Sequence, residues 1–551
     1  MTNHAPTGPT AAPPAPPHFP PPVASNATRH LCAGAYLDED FQRASLAEVY
    51  HQRARLVAPS YGFDLVAVLG QCLQARRIAV LRDMAIIGML LFATCVSVTA
   101  MIFTIGLLIS LYLLTSTQRG IREIARELRR GGSANVGIII GRSMAFLFRV
   151  LGAMVAFSLL SMPIALLTAL DMTGIYYVDL PLEILMTLLA LTFAPPFVAN
   201  LIHQHQLEQF APGRTPPVPA RSRRFDEIRR QESGNTIVFS GYHPFVGSGI
   251  VLKNWGFAER LVRAGDPLTG VAAESEREFS TAPFSAVELV AHLRDELNAL
   301  AYGREPEEQL PGLTVADRIL LAGTEVAHLV PYTDPAHFPT VIRNPTAPAR
   351  HFLVCQVVSW RGELVATVYV HVAVQGRSLY MELTSTALPP CDERYRVVDQ
   401  VGGTGPAAFL RAGARGLLDA PVIIGRAPLN LLRAGLDALV NSSWFLAGGP
   451  PRPGYDRGAR VSVRELGMAG DTRHHLQTQE IDKHQRIIER RVLAATLDFL
   501  ESRGVDTSEY RQRATTLLNA GTVVSGGSLT VHGDLKSTQT NTARPRRGTE
   551  R

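Results

Sequence analysis

Cysteine is scarce in this sequence: 551 residues hold five, Cys32, Cys72, Cys95, Cys355 and Cys391. None forms a CxxC pair, and no Cys/His grouping has zinc-ligand spacing, so a structural metal site and a disulfide framework are both excluded as expectations. Charge is sparse too, at 19% of residues with a net charge of +6. No basic residues gather into one folded stretch, which argues against nucleic acid as a partner. Catalytic signatures are missing as well: there is no G-x-x-x-x-G-K-[ST], no HExxH, no G-x-S-x-G and no kinase set. The start, MTNHAPTGPTAAPPAPPHFPPPV, has neither a basic n-region nor an apolar h-region, so no secretory signal is read there. No cofactor or metal is implied.

What the sequence does have is apolar length. Met84–Ser116 carries no charge at all, and Ser143–Leu170 and Leu180–Ile202 are two further apolar runs. A hydrocarbon core of roughly 30 Å needs about 20 helical residues, so the second and third runs each suit one span. The first is long for one span and short for two. Arginines flank it on both sides (Arg76, Arg77 and Arg82; Arg119, Arg122 and Arg126), which favours a hairpin with both ends cytoplasmic, and one long tilted helix is the alternative. DMTGIYYVD, lacking Lys and Arg, is expected outside. The reading is a bacterial cell-membrane protein, multi-pass, with both termini cytoplasmic and the lipid bilayer as its first partner. Its only ionisable groups within the runs, Arg149 and Glu183, lie near the ends and can snorkel, so the anchor reads as an anchor rather than a pore.

The chain then divides as follows. Residues 1–28 form a Pro-rich tail, 29–83 a cytoplasmic helical segment, 84–116 the membrane hairpin or long helix, and 117–142 a basic loop. Residues 143–170 and 180–203 are membrane helices joined by an external loop at 171–179. A basic, Pro-rich linker covers 204–234, followed by a cytoplasmic domain at 235–505, a helix with a Gly-rich β-prone motif at 506–537, and a basic tail at 538–551. The fold class is α+β: a helical membrane anchor plus a domain holding an antiparallel β-meander and flanking helices.

Several elements of that domain are explicit. Ser285 and Glu288 spell a capping box, followed by Ala286, Val290, Leu293, Leu297 and Leu300 on one helical face. HFLVCQVVSW, LVATVYVHVAV and SLYMELTSTAL are β runs, with turns at Arg361-Gly362 and Gln375-Gly376. Helices are expected at Ala407–Leu418 and Leu429–Val440. A longer one follows, with a stripe of Ile488, Val492, Ala495 and Phe499 and a C-cap at Gly504. Two β-prone runs flank Gly526-Gly527. One hairpin alone is marginal in water, so this tail needs a partner surface or copies of itself.

The candidate chemistry is thin. GYHPFVGSG (Gly241–Gly249) is the one loop whose amides could cradle an anion, and Tyr242, His243, Gly247 and Gly249 are its candidate ligand-binding residues, with Trp255 close in sequence. No clear helix start follows it, so a turn between strands competes with that reading. Glu480 and His484 share a helix face, and a solvated face explains them. His371 alternates with Thr367 and Tyr369 on what reads as a polar outer strand face. Cys355 reads as core. Asp392, Glu393, Arg394 and Arg396 read as a solvated loop.

RHLCAGAYLDEDF, LVAPSYGFDLVAVL, FSGYHPFVGSG and IIERRVLAATLDFLESRGVDTSEYRQRATTLLNAGTVVSGG together resemble an uncharacterised family of actinobacterial multi-pass membrane proteins with no assigned function. The Gly-rich end also resembles short bacterial amyloid-signalling motifs, which pair by cross-β stacking. The expected role is a membrane-tethered interaction or signalling module that self-associates or takes a protein partner through the C-terminal tail. A membrane-bound enzyme or small-molecule sensor using Gly241–Gly249 is the alternative, and a channel or transporter comes third.

Overall fold

The computed structural model describes residues 25–96, 182–265, 277–303, 307, 309–446, 455–469, 475–519, 523–525 and 528–530. The expected basic loop at 117–142, the second apolar run and the external loop lie outside them, as do most of the first run and both tails. In chain order the elements are α1 (Asn26–Leu37), α2 (Glu39–Ser45), α3 (Leu65–Val96), α4 (Leu182–Glu208), α5 (Arg223–Glu232), β1 (Thr236–Phe239), β2 (Ile250–Arg260), α6 (Ala286–Tyr302), β3 (Leu313–Ala322), α7 (Phe338–Arg343), β4 (Arg350–Ser359), β5 (Leu364–Gln375), β6 (Ser378–Leu388), α8 (Pro406–Leu446), α9 (Val463–Leu466), α10 (His475–Ser502), α11 (Ser508–Asn519), β7 (Val523–Ser525) and β8 (Ser528–Thr530).

The fold is mixed α+β, built on a six-stranded sheet of order β1-β3-β4-β5-β6-β2. β4, β5 and β6 form the expected antiparallel meander, closed at Gly376-Arg377, both residues at positive φ as a type I′ turn requires. β2 and β3 extend it, while β1 pairs with β3 in parallel. The Ser285/Glu288 capping box is formed at the head of α6. Val368, Val370 and Val372 face Leu293 of α6 and Ile488, Val492 and Phe499 of α10 in the largest core cluster. Gly504, at φ +66°, ends α10.

The opposite sheet face departs from expectation. Thr367 and Tyr369 are fully buried and His371 nearly so: Phe245, Val246 and Ala58 pack with Tyr369, and Phe352 lies against the His371 ring. A strand with alternating polar and apolar residues reads as half-exposed; here a loop and the N-terminal segment supply a second lid, and the His371 ring is satisfied by the His351 carbonyl at 2.8 Å.

The N-terminal helices are not a separate unit either. Leu31, Phe41, Val68 and Cys72 share one core with Phe225, Ile228, Cys391, Tyr395 and Val463. The expected boundary at residue 83 falls inside α3, which starts at Leu65 with Asp64 accepting from the Ala67 amide. The stretch 204–234 is a linker only in part. Its C-terminal half is α5, whose Arg224 is buried and donates to the Val49, Tyr50 and Gln52 carbonyls. A Pro/Arg-rich composition concealed this, because a guanidinium with enough carbonyl acceptors can be buried.

The third apolar run is helical, as α4, with Pro195 and Pro196 inside it. Among the described residues, however, no helix is long and apolar enough to cross a membrane. The helical membrane anchor therefore gains no support from the described helices. The two expected helices at 407–418 and 429–440 are one, α8, which runs through Pro421 and Pro428. It packs on α3 and α4, where Ala420, Ile424 and Ala427 meet Ile86, Leu90 and Phe193.

Candidate functional site

The Gly-rich loop ends where β2 begins, and its amides are already engaged. Glu465 Oε1, on α9, accepts from the Gly247 N–H at 2.7 Å and the Gly249 N–H at 3.0 Å, and its Oε2 accepts from the Ser462 N–H at 3.2 Å. The loop does cradle an anion, and that anion is the chain's own carboxylate. Gly247 and Gly249 sit at positive φ, which is what turns successive N–H groups to one point. Tyr242 is 97% exposed, and His243, exposed as well, acts on the Glu465 carboxylate only through its charge. Trp255 goes elsewhere, donating to the buried Glu489 at 2.6 Å. The physical basis for a free ligand cradle at Tyr242, His243, Gly247 and Gly249 is thus taken up by an internal latch. Burial pushes the Glu465 carboxyl above its ordinary range, while the Gly249, Gly247 and Ser462 amides pull the other way. Glu465→Ala would leave those amides without their acceptor, at about 1–3 kcal/mol. A clear fall in Tm is expected, and an unchanged Tm would show that the latch contributes nothing.

The titratable groups that do gather lie elsewhere, where α1 meets the β4–β5 turn and the segment after β6. His30 is buried between two carboxylates: Nδ1 lies 2.5 Å from Glu363 Oε1, and Nε2 lies 2.6 Å from Asp399 Oδ2. Arg29 donates to the other oxygen of Asp399 and, through Nε, to the Phe210 carbonyl at 2.9 Å. Glu363 Oε2 accepts from the Cys391 N–H at 3.0 Å and from Arg396 at 3.3 Å. Arg464, fully buried, donates to the Glu363 and Pro389 carbonyls at 2.8 and 2.6 Å. Burial alone would raise the Glu363 carboxyl, but the hydrogen bond and charge of His30, Arg464 and the Cys391 N–H outweigh it and hold the group at about 2.

Ligand atoms of His30, Glu363 and Cys391 lie within 4.8 Å of one another, which is metal-ligand spacing. The surroundings do not fit a cation. Both imidazole nitrogens and both Glu363 oxygens are engaged, and Arg29, Arg396 and Arg464 bring three guanidinium charges to the cluster. Burial pushes the Cys391 thiol far up, against the thiolate that a metal, or nucleophilic attack, requires. The cluster is a polar clamp joining residues more than 300 positions apart in sequence.

Sequence reasoning did not find this clamp. RHLCAG has no recognisable ligand spacing, and DERYR reads as solvated charge. In the structure Asp392 instead caps the 3-10 turn Glu393–Asp399 and shares Arg394 with Asp38. Cys355 is core as expected, with burial pushing its thiol to about 12. Glu480 accepts from the Trp360 indole, and His484 is largely buried 4.0 Å from it; His474 lies outside the described residues.

A family model for the AbeC-like domain matches residues 254–532, from β2 to the end of the described chain. No curated protein and no solved structure matches this chain.

Proposed function

Given that this chain belongs to the AbeC-like domain family, we propose that it is a membrane-tethered module that binds protein partners or copies of itself. The observation that carries this is where apolar side chains are left uncovered. Leu81, Met84, Leu91 and Phe92 of α3 and Leu191, Val198 and Ile202 of α4 are exposed, at the entry to and exit from the apolar runs between them. Monomeric soluble proteins rarely leave large apolar patches in water, and a bilayer would cover these side chains. Both helices reach the core that holds Cys391, Tyr395 and Val463, which joins α3 and α4 to the segment after β6 and to α9.

The binding part of the proposal rests on the C-terminal hairpin. Among the described residues β7 and β8 pair only with each other, in antiparallel register Val523↔Thr530 to Ser525↔Ser528. A two-stranded sheet of this length is marginal in water and gains from added strands.

The test is one preparation with two readouts. The full chain, expressed in a bacterial host, is expected to stay with the membrane fraction through an alkaline carbonate wash. In mild detergent it is expected to sediment as a larger species than a chain truncated after Asn519. Release by the wash would sink the tether, and identical sizes and bound partners for the two chains would sink the role of the hairpin.

A further inference from the structure

We propose that α8 is itself a membrane element, which dips into one leaflet and returns without crossing, its outward leucines in contact with lipid acyl chains. This rests on the tether proposed above and goes beyond it, because α8 lies far from the apolar runs in sequence.

The first support is the surface of the helix. Leu410, Leu417, Leu418, Leu429, Leu432, Leu436 and Leu439 are between 46% and 76% exposed. At 3.6 residues per turn they fall within roughly a third of the circumference. The buried Ala420, Ile424 and Ala427 occupy a second sector, against α3 and α4, and the outward leucines fall into two groups on either side of Pro421 and Val422, which are buried. Arg411, Arg415, Asp419, Arg426, Arg433 and Asp437 share a third. A helix of a water-soluble domain turns one apolar stripe inward; α8 has that stripe and a second, outward one bordered by arginines, the composition of a helix lying in a membrane interface.

The second support is depth, read from its neighbours. Just before α8, Gly405 N–H donates to Glu208, at the polar end of α4, and early in α8 Gly413 and Gly416 pack closely on Phe197 and Asn200. Midway, Ala420 to Ala427 meet Phe193, Ile86 and Leu90. Later, Asn430 donates to Asp83 at 3.3 Å, and Arg76 pairs with Asp437 at 3.1 Å. Contacts thus move along α4 into the apolar run and then back along α3 to the arginines that precede Met84. Pro421 and Pro428, which weaken a helix locally, stand where the partner changes. Arg76 to Asp83 are the residues expected at the headgroups, and Leu90 lies about 10 Å beyond Asp83 at 1.5 Å per residue, a shallow insertion. The arginines of α8 can reach headgroups from that depth by extending their side chains.

Two other occupants compete for the outward stripe: the apolar runs within residues 97–181, and a second copy of this chain. A photoreactive benzophenone side chain placed in the full protein at Leu417, Leu418 or Leu429, the exposed leucines nearest the deepest contacts, distinguishes them. In carbonate-washed membranes, irradiation is expected to give a phospholipid adduct, detected by mass, several-fold above that from the same group at Arg486 in α10. Adducts to residues 97–181, or crosslinked dimers without lipid adducts, would overturn the proposal while the tether stands. Loss of the unmodified protein in the wash would instead remove the tether, and with it the premise.

Discussion

Glu363→Ala is expected to destabilise the protein by about 3–5 kcal/mol, because it removes one partner from a buried ionic cluster and strands the rest. His30 loses the acceptor for its Nδ1, Arg396 loses its carboxylate, and the Cys391 N–H loses its acceptor. The damage should fall on the joint between α1 and the sheet rather than on the α6–α10 face, since the clamp lies at that joint. Hydrogen exchange of the full chain would locate it, with amides of α1 and of Pro389–Asp399 losing protection first. A uniform loss across the molecule, or no loss of Tm, would mean the clamp is not an independent contributor.

The same group sets a pH response. Its ordinary value is 4.5 and its folded value about 2. A carboxyl lowered by folding stabilises the fold fully above the unfolded value, and that contribution drains away as pH falls toward the folded one. Between about pH 4.5 and 2 the protein should therefore lose on the order of 3 kcal/mol through this residue. Glu363→Gln is expected to start lower and to show a flatter acid limb. An acid limb as steep as that of the unmodified protein would assign the loss to other carboxylates.

The parts legible in the sequence were those written in local pattern. Ser285-x-x-Glu288 caps a helix whatever surrounds it, and Val368, Val370 and Val372 carry the period of a strand. The clamp has no such trace: His30 meets Glu363 and Asp399 only because α1 is folded against two turns distant in sequence. Tyr369 shows a second limit. Period-two alternation gives the two faces of a strand, but which face is covered depends on Phe245 and Ala58, placed by elements that periodicity does not rank. The Gly241–Gly249 loop shows a third. Its amides do converge, as glycines at positive φ allow, yet nothing local foretold that Glu465, more than 200 residues on, would fill them.

Gly362→Ala is expected to cost about 3 kcal/mol or more, and Gly376→Ala only about 1, although both glycines close β-turns of the same meander. Both sit at positive φ, +86° and +54°, so each substitution carries the left-handed penalty of an L side chain. The surroundings differ. A Cβ on Gly376 meets nothing within 4 Å, whereas one on Gly362 would sit 2.0 Å from the Gly62 carbonyl oxygen and 3.1 Å from Ser25 Cβ. Gly62 is itself left-handed, at φ +77°, so the two backbones approach where neither can bear a side chain. Trp360 and Arg361, also at positive φ, precede Gly362, and Glu363 of the clamp follows it. The turn therefore has little freedom to retreat: moving it would pull Glu363 from His30 and Trp360 from Glu480. Urea unfolding of the three proteins side by side is the measurement. A large midpoint shift for Gly362→Ala with a small one for Gly376→Ala would mark close packing of the N-terminal segment on the sheet as the cause. Equal shifts would reduce the effect at both sites to backbone strain alone.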